Sequence, residues 1–165
     1  MKIAVFAGSF DPFTKGHESV VIRALPLFDK IIIAIGHNST KMEFLNLEER
    51  LELINNVFKN EPRVVVDSYQ GLTVDYCKEV NASFMLRGIR TAADFEYERG
   101  VAQMNKLMLP EVESFFLLTT PELTPVNSTI VRDILRFGGD VSQFLPESAN
   151  IYSILEKRKD NTEKL

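Results

Sequence analysis

The sequence predicts an α/β fold in which a doubly wound, five-stranded parallel sheet is covered by helices on both faces. Two observations carry this prediction: short, strongly apolar runs recur along the chain, and segments of helical periodicity lie between them. Strands of a parallel sheet are buried on both faces, and they need long, usually helical connections. The alternation of strand-like and helix-like segments therefore favours a doubly wound sheet.

The individual elements follow from these two patterns. Five apolar runs predict the strands: KIAVFA (2–7), KIIIAIG (30–36), RVVVDSY (63–69), FMLRG (84–88) and VESFFLLT (112–119). A first helix is predicted around Val21, Ala24, Leu25 and Phe28, and a second around Leu47, Leu51, Ile54 and Phe58. Pro26 predicts that the first of these kinks or ends in its last turn. Two later segments also predict helices: NSTIVRDILRF (127–137) and ANIYSILEKRK (149–159).

Length and composition indicate one ordinary domain. The chain has 165 residues, of which 45% are hydrophobic and 25% are charged. We expect a single domain over residues 1–158 and a frayed tail over residues 159–165. The sequence has neither a signal-peptide pattern nor about 18 consecutive apolar residues, which predicts a cytoplasmic protein without a membrane partner.

Charge and cysteine content exclude further classes of protein. A formal net charge of −4 argues against non-specific binding to nucleic acid or to an anionic membrane, so an anionic ligand must meet a local basic cluster. Cys77 is the single cysteine, which rules out an internal disulfide. We interpret it as a buried small hydrophobic residue and not as a nucleophile.

Polar stretches follow four of the predicted strands. In open parallel sheets, ligands bind beyond the carboxyl ends of the strands, where the strand order reverses. The candidate stretches are GSFDPFTKGH after strand 1, HNSTK after strand 2, RGIRTAADFEYE after strand 4 and TTPELTPVNST after strand 5. The search for a functional site begins with these four stretches.

The loop after strand 1 lacks two common nucleotide-binding patterns. Bulky residues stand where a dinucleotide fingerprint needs glycines, and the phosphate loop G-x-x-x-x-G-K-[ST] is absent. The loop instead has T-x-G-H at Thr14 to His17, where a helix is predicted to begin. A helix start offers free N–H groups and a positive dipole end, so this stretch favours phosphate binding.

These residues carry a specific resemblance. GSFDPFTKGH is similar to the first signature of the nucleotidyltransferase superfamily with the [HT]-x-G-H motif, and VNSTIVR (126–132) to its second, I-S-S-T-x-x-R, with Asn127 replacing the first serine. With RGIRTAADFEYE (87–98) between them, the chain resembles the bacterial phosphopantetheine adenylyltransferases from residue 1 to about residue 158.

The resemblance implies a fold, an activity and an assembly. It implies a Rossmann-like nucleotidyltransferase fold and the reversible transfer of AMP from ATP to 4′-phosphopantetheine, which yields dephospho-CoA and pyrophosphate. It also implies Mg²⁺ as cofactor and a homohexamer, and it makes coenzyme A a candidate feedback ligand.

The resemblance also assigns roles to residues. His17 is implied as the residue that stabilises the transition state. The implied ATP contacts are Ser9, Phe10, His17, Gly88, Ile89, Arg90, Glu98, Leu123, Thr124, Pro125, Val126, Asn127, Ser128 and Thr129. The implied contacts to 4′-phosphopantetheine are Ser9, Lys41, Thr73 and Arg87. Glu98 is expected on the ribose or adenine side, because a carboxylate beside the triphosphate would repel it.

Several alternatives stay open on the sequence alone. His17 could instead cap a helix, and Arg87 and Arg90 could form surface ion pairs with Asp94 or Glu96. Capping alone would also account for Asn127 to Thr129. The alternative functions are another adenylyltransferase or cytidylyltransferase of the superfamily and a non-catalytic nucleotide sensor.

Overall fold

Parallel strands and helices alternate along the chain in the computed structural model, which describes residues 1–36 and 42–162. The strands are β1 (Ile3–Gly8), β2 (Lys30–Gly36), β3 (Val64–Tyr69), β4 (Phe84–Ile89) and β5 (Glu113–Leu118). The α-helices are α1 (Lys15–Ala24), α2 (Leu47–Phe58), α3 (Thr73–Glu79), α4 (Ala92–Met108), α5 (Ser128–Arg136) and α6 (Ile151–Thr162). Short 3₁₀ turns lie at Pro121–Leu123, Ser142–Phe144 and Glu147–Ala149.

The sheet order is β3-β2-β1-β4-β5, and every pairing is parallel. From β1, the chain adds β2 and then β3 on one side, and it then adds β4 and β5 on the other side of β1. The order therefore reverses between β1 and β4. In folds of this type, the crevice for a ligand lies at the carboxyl ends of the two strands beside the reversal.

Both faces of β1 and β2, in the middle of the sheet, are buried, as the apolar runs predict. Along β1, Ala4 and Phe6 belong to one core cluster, whereas Val5 and Ala7 belong to the other. Because successive side chains of a strand point to opposite faces, an unbroken apolar run can serve both clusters. Residues of α1, α2, α5 and α6 complete the first cluster, and residues of α3 complete the second.

Capping residues explain where two of the helices begin. Asn46 precedes α2 and accepts a hydrogen bond from the Glu49 N–H at 2.9 Å, while Glu49 accepts one from the Asn46 N–H at 2.8 Å. Thr91 precedes α4 and accepts a hydrogen bond from the Asp94 N–H at 3.1 Å. Such caps satisfy N–H groups that have no partner inside the helix, so they set the first residue of each helix.

The predicted helices are confirmed, with some differences in their bounds. Helix α1 ends at Ala24, two residues before Pro26, which has no N–H to continue it. Neither α3 nor α4 was singled out by its periodicity in the sequence, and the seven residues of α3 give too short a periodic signal. Helix α6 runs to Thr162, and residues 163–165 lie outside the described part. The domain bound at residue 158 and the frayed tail stay predictions.

Within the described residues, no helix is long and apolar enough to cross a membrane.

Candidate functional site

A cavity of about 560 Å³ opens where the strand order reverses, at the carboxyl ends of β1 and β4. Residues around the starts of α1 and α5 border it, so the two sequence motifs face one space. It is lined by ten of the residues predicted from the sequence: Ser9, Phe10, His17, Arg87, Gly88, Arg90, Val126, Asn127, Ser128 and Thr129.

His17 lies in the first turn of α1, and its ring takes part in capping that helix. The Thr14 N–H donates a hydrogen bond to His17 Nδ1 at 3.0 Å, and the Thr14 hydroxyl lies 3.1 Å from the same nitrogen. A ring nitrogen that accepts an N–H bond carries no proton, so in the neutral ring the proton is on Nε2.

The charge state of His17 follows from its surroundings. Burial, together with the positive charges of Arg90 and Arg87, lowers the pKa of His17 to about 4. The imidazole is therefore neutral near pH 7 and offers one hydrogen-bond donor, Nε2–H. The ring centroids of Phe10 and Phe13 lie 5.1 and 5.3 Å from that of His17, so the imidazole is held between aromatic side chains.

Phe10 contributes mainly to the packing of the site. Its side chain is only 3% exposed and packs against Phe6, Phe13 and His17. Its φ of 46° places it in the left-handed region, and a Cβ on Gly8 would lie 2.8 Å from the Phe10 ring. Glycine at position 8 therefore makes room for the ring that supports His17.

Arg87 lies in β4 and Arg90 directly follows it, and each has a carboxylate partner. Arg87 donates from Nε to Glu98 Oε2 at 2.8 Å, from a terminal nitrogen to Glu98 Oε1, and from the other to the Ala7 carbonyl at 2.6 Å. Arg90 pairs with Asp94 at 3.2 Å. The ion-pair alternative is thus correct for Arg90 and Asp94, whereas Glu96 pairs with Arg99. Pairing orients both guanidinium groups and still leaves N–H groups for an anion.

The second motif is joined to the first by hydrogen bonds that span more than a hundred residues. The Ser128 hydroxyl donates to the Pro12 carbonyl at 2.7 Å, and Arg132 donates to the Asp11 carbonyl at 2.6 Å. Arg132 also donates to the Thr129 hydroxyl, and Asn127 Oδ1 accepts from the Ile130 N–H at 2.9 Å. The helix-cap alternative therefore holds for the Asn127 side chain, although the residue still lines the cavity.

A second cavity, of about 140 Å³, shares Ala7 and Arg87 with the first. Its wall is largely uncharged, with apolar side chains such as Met85 and Val101 beside Asn105. Thr73 and Glu98, both predicted from the sequence, line this second cavity. The Thr73 hydroxyl lies 2.7 Å from the Tyr69 hydroxyl, which fixes its position. The two cavities thus adjoin at Ala7 and Arg87: the central one has a charged lining, and the second, here called the side arm, has a mostly neutral one.

Known proteins resemble this chain over most of its length. The Cytidylyltransferase-like family matches residues 5–134. A phosphopantetheine adenylyltransferase of Flavobacterium psychrophilum is 48% identical over 151 residues, which cover 92% of this chain and 99% of the relative. That of Bacteroides thetaiotaomicron is 50% identical with the same coverage. The chain belongs to the phosphopantetheine adenylyltransferase family.

The fold of this family member is shared with a more distant solved structure. A bifunctional NMN adenylyltransferase/ADP ribose pyrophosphatase from Francisella tularensis superposes with a TM-score of 0.73 at 21% sequence identity. The match covers 96% of this chain and 50% of the solved one, so the chain corresponds to about half of that protein. The predicted Rossmann-like nucleotidyltransferase fold is confirmed.

Some residues predicted from the family resemblance lie away from the central cavity. Ile89, Leu123, Thr124 and Pro125 do not line it, although neighbouring residues in both stretches do. Lys41 lies outside the described residues. The role of each predicted residue toward a substrate stays a prediction.

Three charged residues that line the central cavity were missed by the sequence analysis. Asp11 is 5% exposed, and its carboxylate accepts hydrogen bonds from the N–H groups of Phe44 and Leu45, both at 2.8 Å. Arg50 is 1% exposed and donates to the Ser9 carbonyl at 2.9 Å. Arg132 is the last residue of the second motif, VNSTIVR, so the motif could have identified Arg132 as a site residue. Asp11 and Arg50 hold the loop after β1 in place.

Cys77 is a buried free cysteine in the second core cluster. Burial raises the pKa of the Cys77 thiol to about 11, so the thiol is protonated and the interpretation as a buried hydrophobic residue is confirmed. In the described part of the chain, no group of three or more His, Cys, Asp or Glu side chains is placed to hold a metal ion.

Proposed function

We propose that the protein transfers AMP from ATP to 4′-phosphopantetheine and releases dephospho-CoA and pyrophosphate, in the penultimate and reversible step of coenzyme A synthesis. Its membership of the phosphopantetheine adenylyltransferase family supports the reaction class. The observation that carries the proposal is the neutral Nε2–H tautomer of His17 in a cavity that Arg87 and Arg90 also line, next to a second cavity that shares Arg87.

The proposed chemistry is a direct in-line displacement at the α-phosphorus of ATP. The attacking group is a phosphate oxygen that is already ionised, so no side chain has to remove a proton. The site has to stabilise charge on the equatorial oxygens, which calls for hydrogen-bond donors and cations. His17 Nε2–H, Arg90, Arg132 and the first turns of α1 and α5 provide such donors.

The two cavities support a division of the site between the substrates. In this proposal the central cavity takes the triphosphate of ATP, and Ser9 lies between the two reacting phosphates. The remaining ATP contacts come from the Gly88–Arg90 stretch and from residues 123–129. The acceptor's phosphate meets Arg87 and Lys41, and its pantetheine arm enters the second cavity beside Thr73. A mostly uncharged side arm suits the amide groups of that chain.

Mg²⁺ is proposed to bind to the phosphates of ATP. The carboxylates around the central cavity already have partners: Asp11 accepts two backbone N–H groups, and Glu43 pairs with Arg50. This donor set fits an ion held mainly by phosphate oxygens and water, as Mg²⁺ often is in nucleotide sites. Bound there, the ion neutralises negative charge on the phosphates.

We predict that pyrophosphate is released only when ATP, Mg²⁺ and 4′-phosphopantetheine are all present. The described residues of the central cavity supply hydrogen-bond donors for phosphate, and the carboxylates among them, Asp11 and Glu43, already accept hydrogen bonds, so we do not expect ATP alone to be hydrolysed. A coupled pyrophosphate assay, with each component left out in turn, makes this measurement. Binding of ATP without any turnover would instead favour the alternative of a non-catalytic nucleotide sensor. Hydrolysis of ATP without the acceptor would contradict the predicted need for 4′-phosphopantetheine.

The proposed assembly is a homohexamer, and helix α4 is the candidate contact surface. None of its 17 residues is buried, and Tyr97, Met104 and Leu107 are 72%, 59% and 77% exposed. An apolar row of this size on one helix is typical of a surface that another subunit covers.

Coenzyme A is a further proposed ligand, because it shares the pantetheine arm with the acceptor. The cytoplasmic location stays a prediction.

We expect the protein to sediment as a hexamer at micromolar concentration, and Leu107→Glu to dissociate it, because a charge would be buried without a partner. Analytical ultracentrifugation of both proteins gives the measurement. A monomeric wild-type protein across the micromolar range would refute the assembly, and a hexameric variant would place the interface elsewhere.

A further inference from the structure

Glu98 lies on α4 and directs its carboxylate to one residue. Its side chain is 13% exposed, and both oxygens accept hydrogen bonds from Arg87, one of them at 2.8 Å from Nε. The family resemblance assigns Glu98 to ATP. In the structure it lines the second cavity and not the central one.

The contacts of Arg87 fix the plane of its guanidinium group. Of the five N–H groups of an arginine, one terminal group donates to the Ala7 carbonyl, and Nε and the other terminal nitrogen donate to Glu98. These three bonds come from β1 and α4, so the group is held from two sides. Two N–H groups remain, and Arg87 borders both cavities.

We propose that Glu98 is a positioning residue for the acceptor: it holds Arg87 in the orientation that receives the acceptor's phosphate. This inference rests on the proposed function, because it takes the phosphate-bearing acceptor as the ligand of Arg87. Bidentate arginine recognition of phosphate depends on the angle of the guanidinium plane. A residue that sets this angle therefore controls acceptor affinity.

Removing the carboxylate has two opposing effects on the acceptor. A negative charge near the phosphate disappears, which favours binding, but Arg87 is 31% exposed, so solvent and salt weaken that term. The second effect is the loss of the two-point contact that orients the guanidinium group. Glutamine keeps the size of the side chain but offers one oxygen in place of two. We expect loss of orientation to dominate.

The test is Glu98→Gln with Glu96→Gln as the matched control. Glu96 lies on the same helix, is 65% exposed in its side chain and pairs with Arg99, so its substitution changes charge equally without touching Arg87. We expect Glu98→Gln to raise the KM for 4′-phosphopantetheine by about 3- to 10-fold and to leave the KM for ATP within about twofold. Glu96→Gln should leave both unchanged. A raised KM for ATP with a normal KM for the acceptor would overturn the inference.

A double-mutant cycle tests whether Glu98 acts through Arg87. In an Arg87→Ala background, Glu98→Gln should cause no further rise in the acceptor KM, because the oriented group is already absent. An equal rise in both backgrounds would contradict the inference. If Glu98→Gln does not fold, Glu98→Asp provides the same test, because it keeps the charge but shortens the reach. Absence of turnover in the wild-type protein would instead refute the proposed function itself.

Discussion

His17→Ala is expected to lower kcat by about 10²- to 10³-fold while the affinities for both substrates change little. A donor that engages charge as it develops at the α-phosphate is worth roughly 3 to 4 kcal/mol in the transition state. The structure assigns the donor to Nε2, because Nδ1 accepts the Thr14 N–H. Steady-state kinetics and ATP titration on the same sample provide the measurement.

The capping role of His17 can be separated from the catalytic one. Loss of the cap costs about 1 kcal/mol of stability, and His17→Gln restores an acceptor for the Thr14 N–H in a Thr-x-x-Gln capping box. We expect His17→Gln to recover the melting temperature that His17→Ala loses, while its kcat stays well below that of the wild type. A destabilised His17→Ala with near-normal kcat would refute the catalytic role.

The lowered pKa of His17 also predicts how kcat depends on pH below 7. Since its pKa is lowered to about 4, the ring stays neutral between pH 7 and pH 5. A fall in kcat over that range would therefore come from another group, such as the phosphates of the substrates. A loss of kcat that disappears in His17→Gln would contradict this assignment.

Arg87→Ala and Arg90→Ala are expected to weaken different substrates. In Arg87→Ala, the loss of a charge-assisted hydrogen bond should weaken the binding of 4′-phosphopantetheine by about 1.5 to 3 kcal/mol, or roughly 10- to 150-fold in Kd. Lys41→Ala is expected to behave in the same way, from the family resemblance. Arg90→Ala should weaken the binding of ATP to a similar degree and leave the affinity for the acceptor nearly unchanged.

Titration calorimetry of each variant with each substrate tests this division. Arg87 lies in β4, Arg90 directly follows that strand, and each has a carboxylate partner, so each variant is the control for the other. If both variants bound ATP more weakly and bound 4′-phosphopantetheine normally, the division of the site between two cavities would be wrong.

The fold was predictable because its main determinants are local and periodic. The run KIIIAIG becomes β2, whose Ile31 and Ile33 enter one core cluster and whose Ile32 enters the other. The sequence could not predict the strand order, which depends on contacts between distant segments. It also could not predict that α4 leaves its apolar residues exposed, because periodicity identifies a helix but not what covers it.

The candidate site was predictable where a motif marks a residue, and less so where a role depends on the partner. His17 was found through T-x-G-H, but its tautomer follows only from the Thr14 contact. Asp11 and Arg50 were missed because each joins the loop after β1 to a segment more than 30 residues away, a contact that periodicity does not predict. The partner of Arg87 lies 11 residues away, across the turn from β4 to α4, and the sequence suggested other carboxylates for it.

The specificity of adenylyl transfer is the central claim, and one measurement tests it most directly. Pyrophosphate release is followed with Mg²⁺ for ATP or CTP, each combined with 4′-phosphopantetheine or nicotinamide mononucleotide. We expect substantial turnover only for ATP with 4′-phosphopantetheine, with dephospho-CoA as the product identified by mass spectrometry. Equal turnover with CTP, or with nicotinamide mononucleotide as acceptor, would contradict the account.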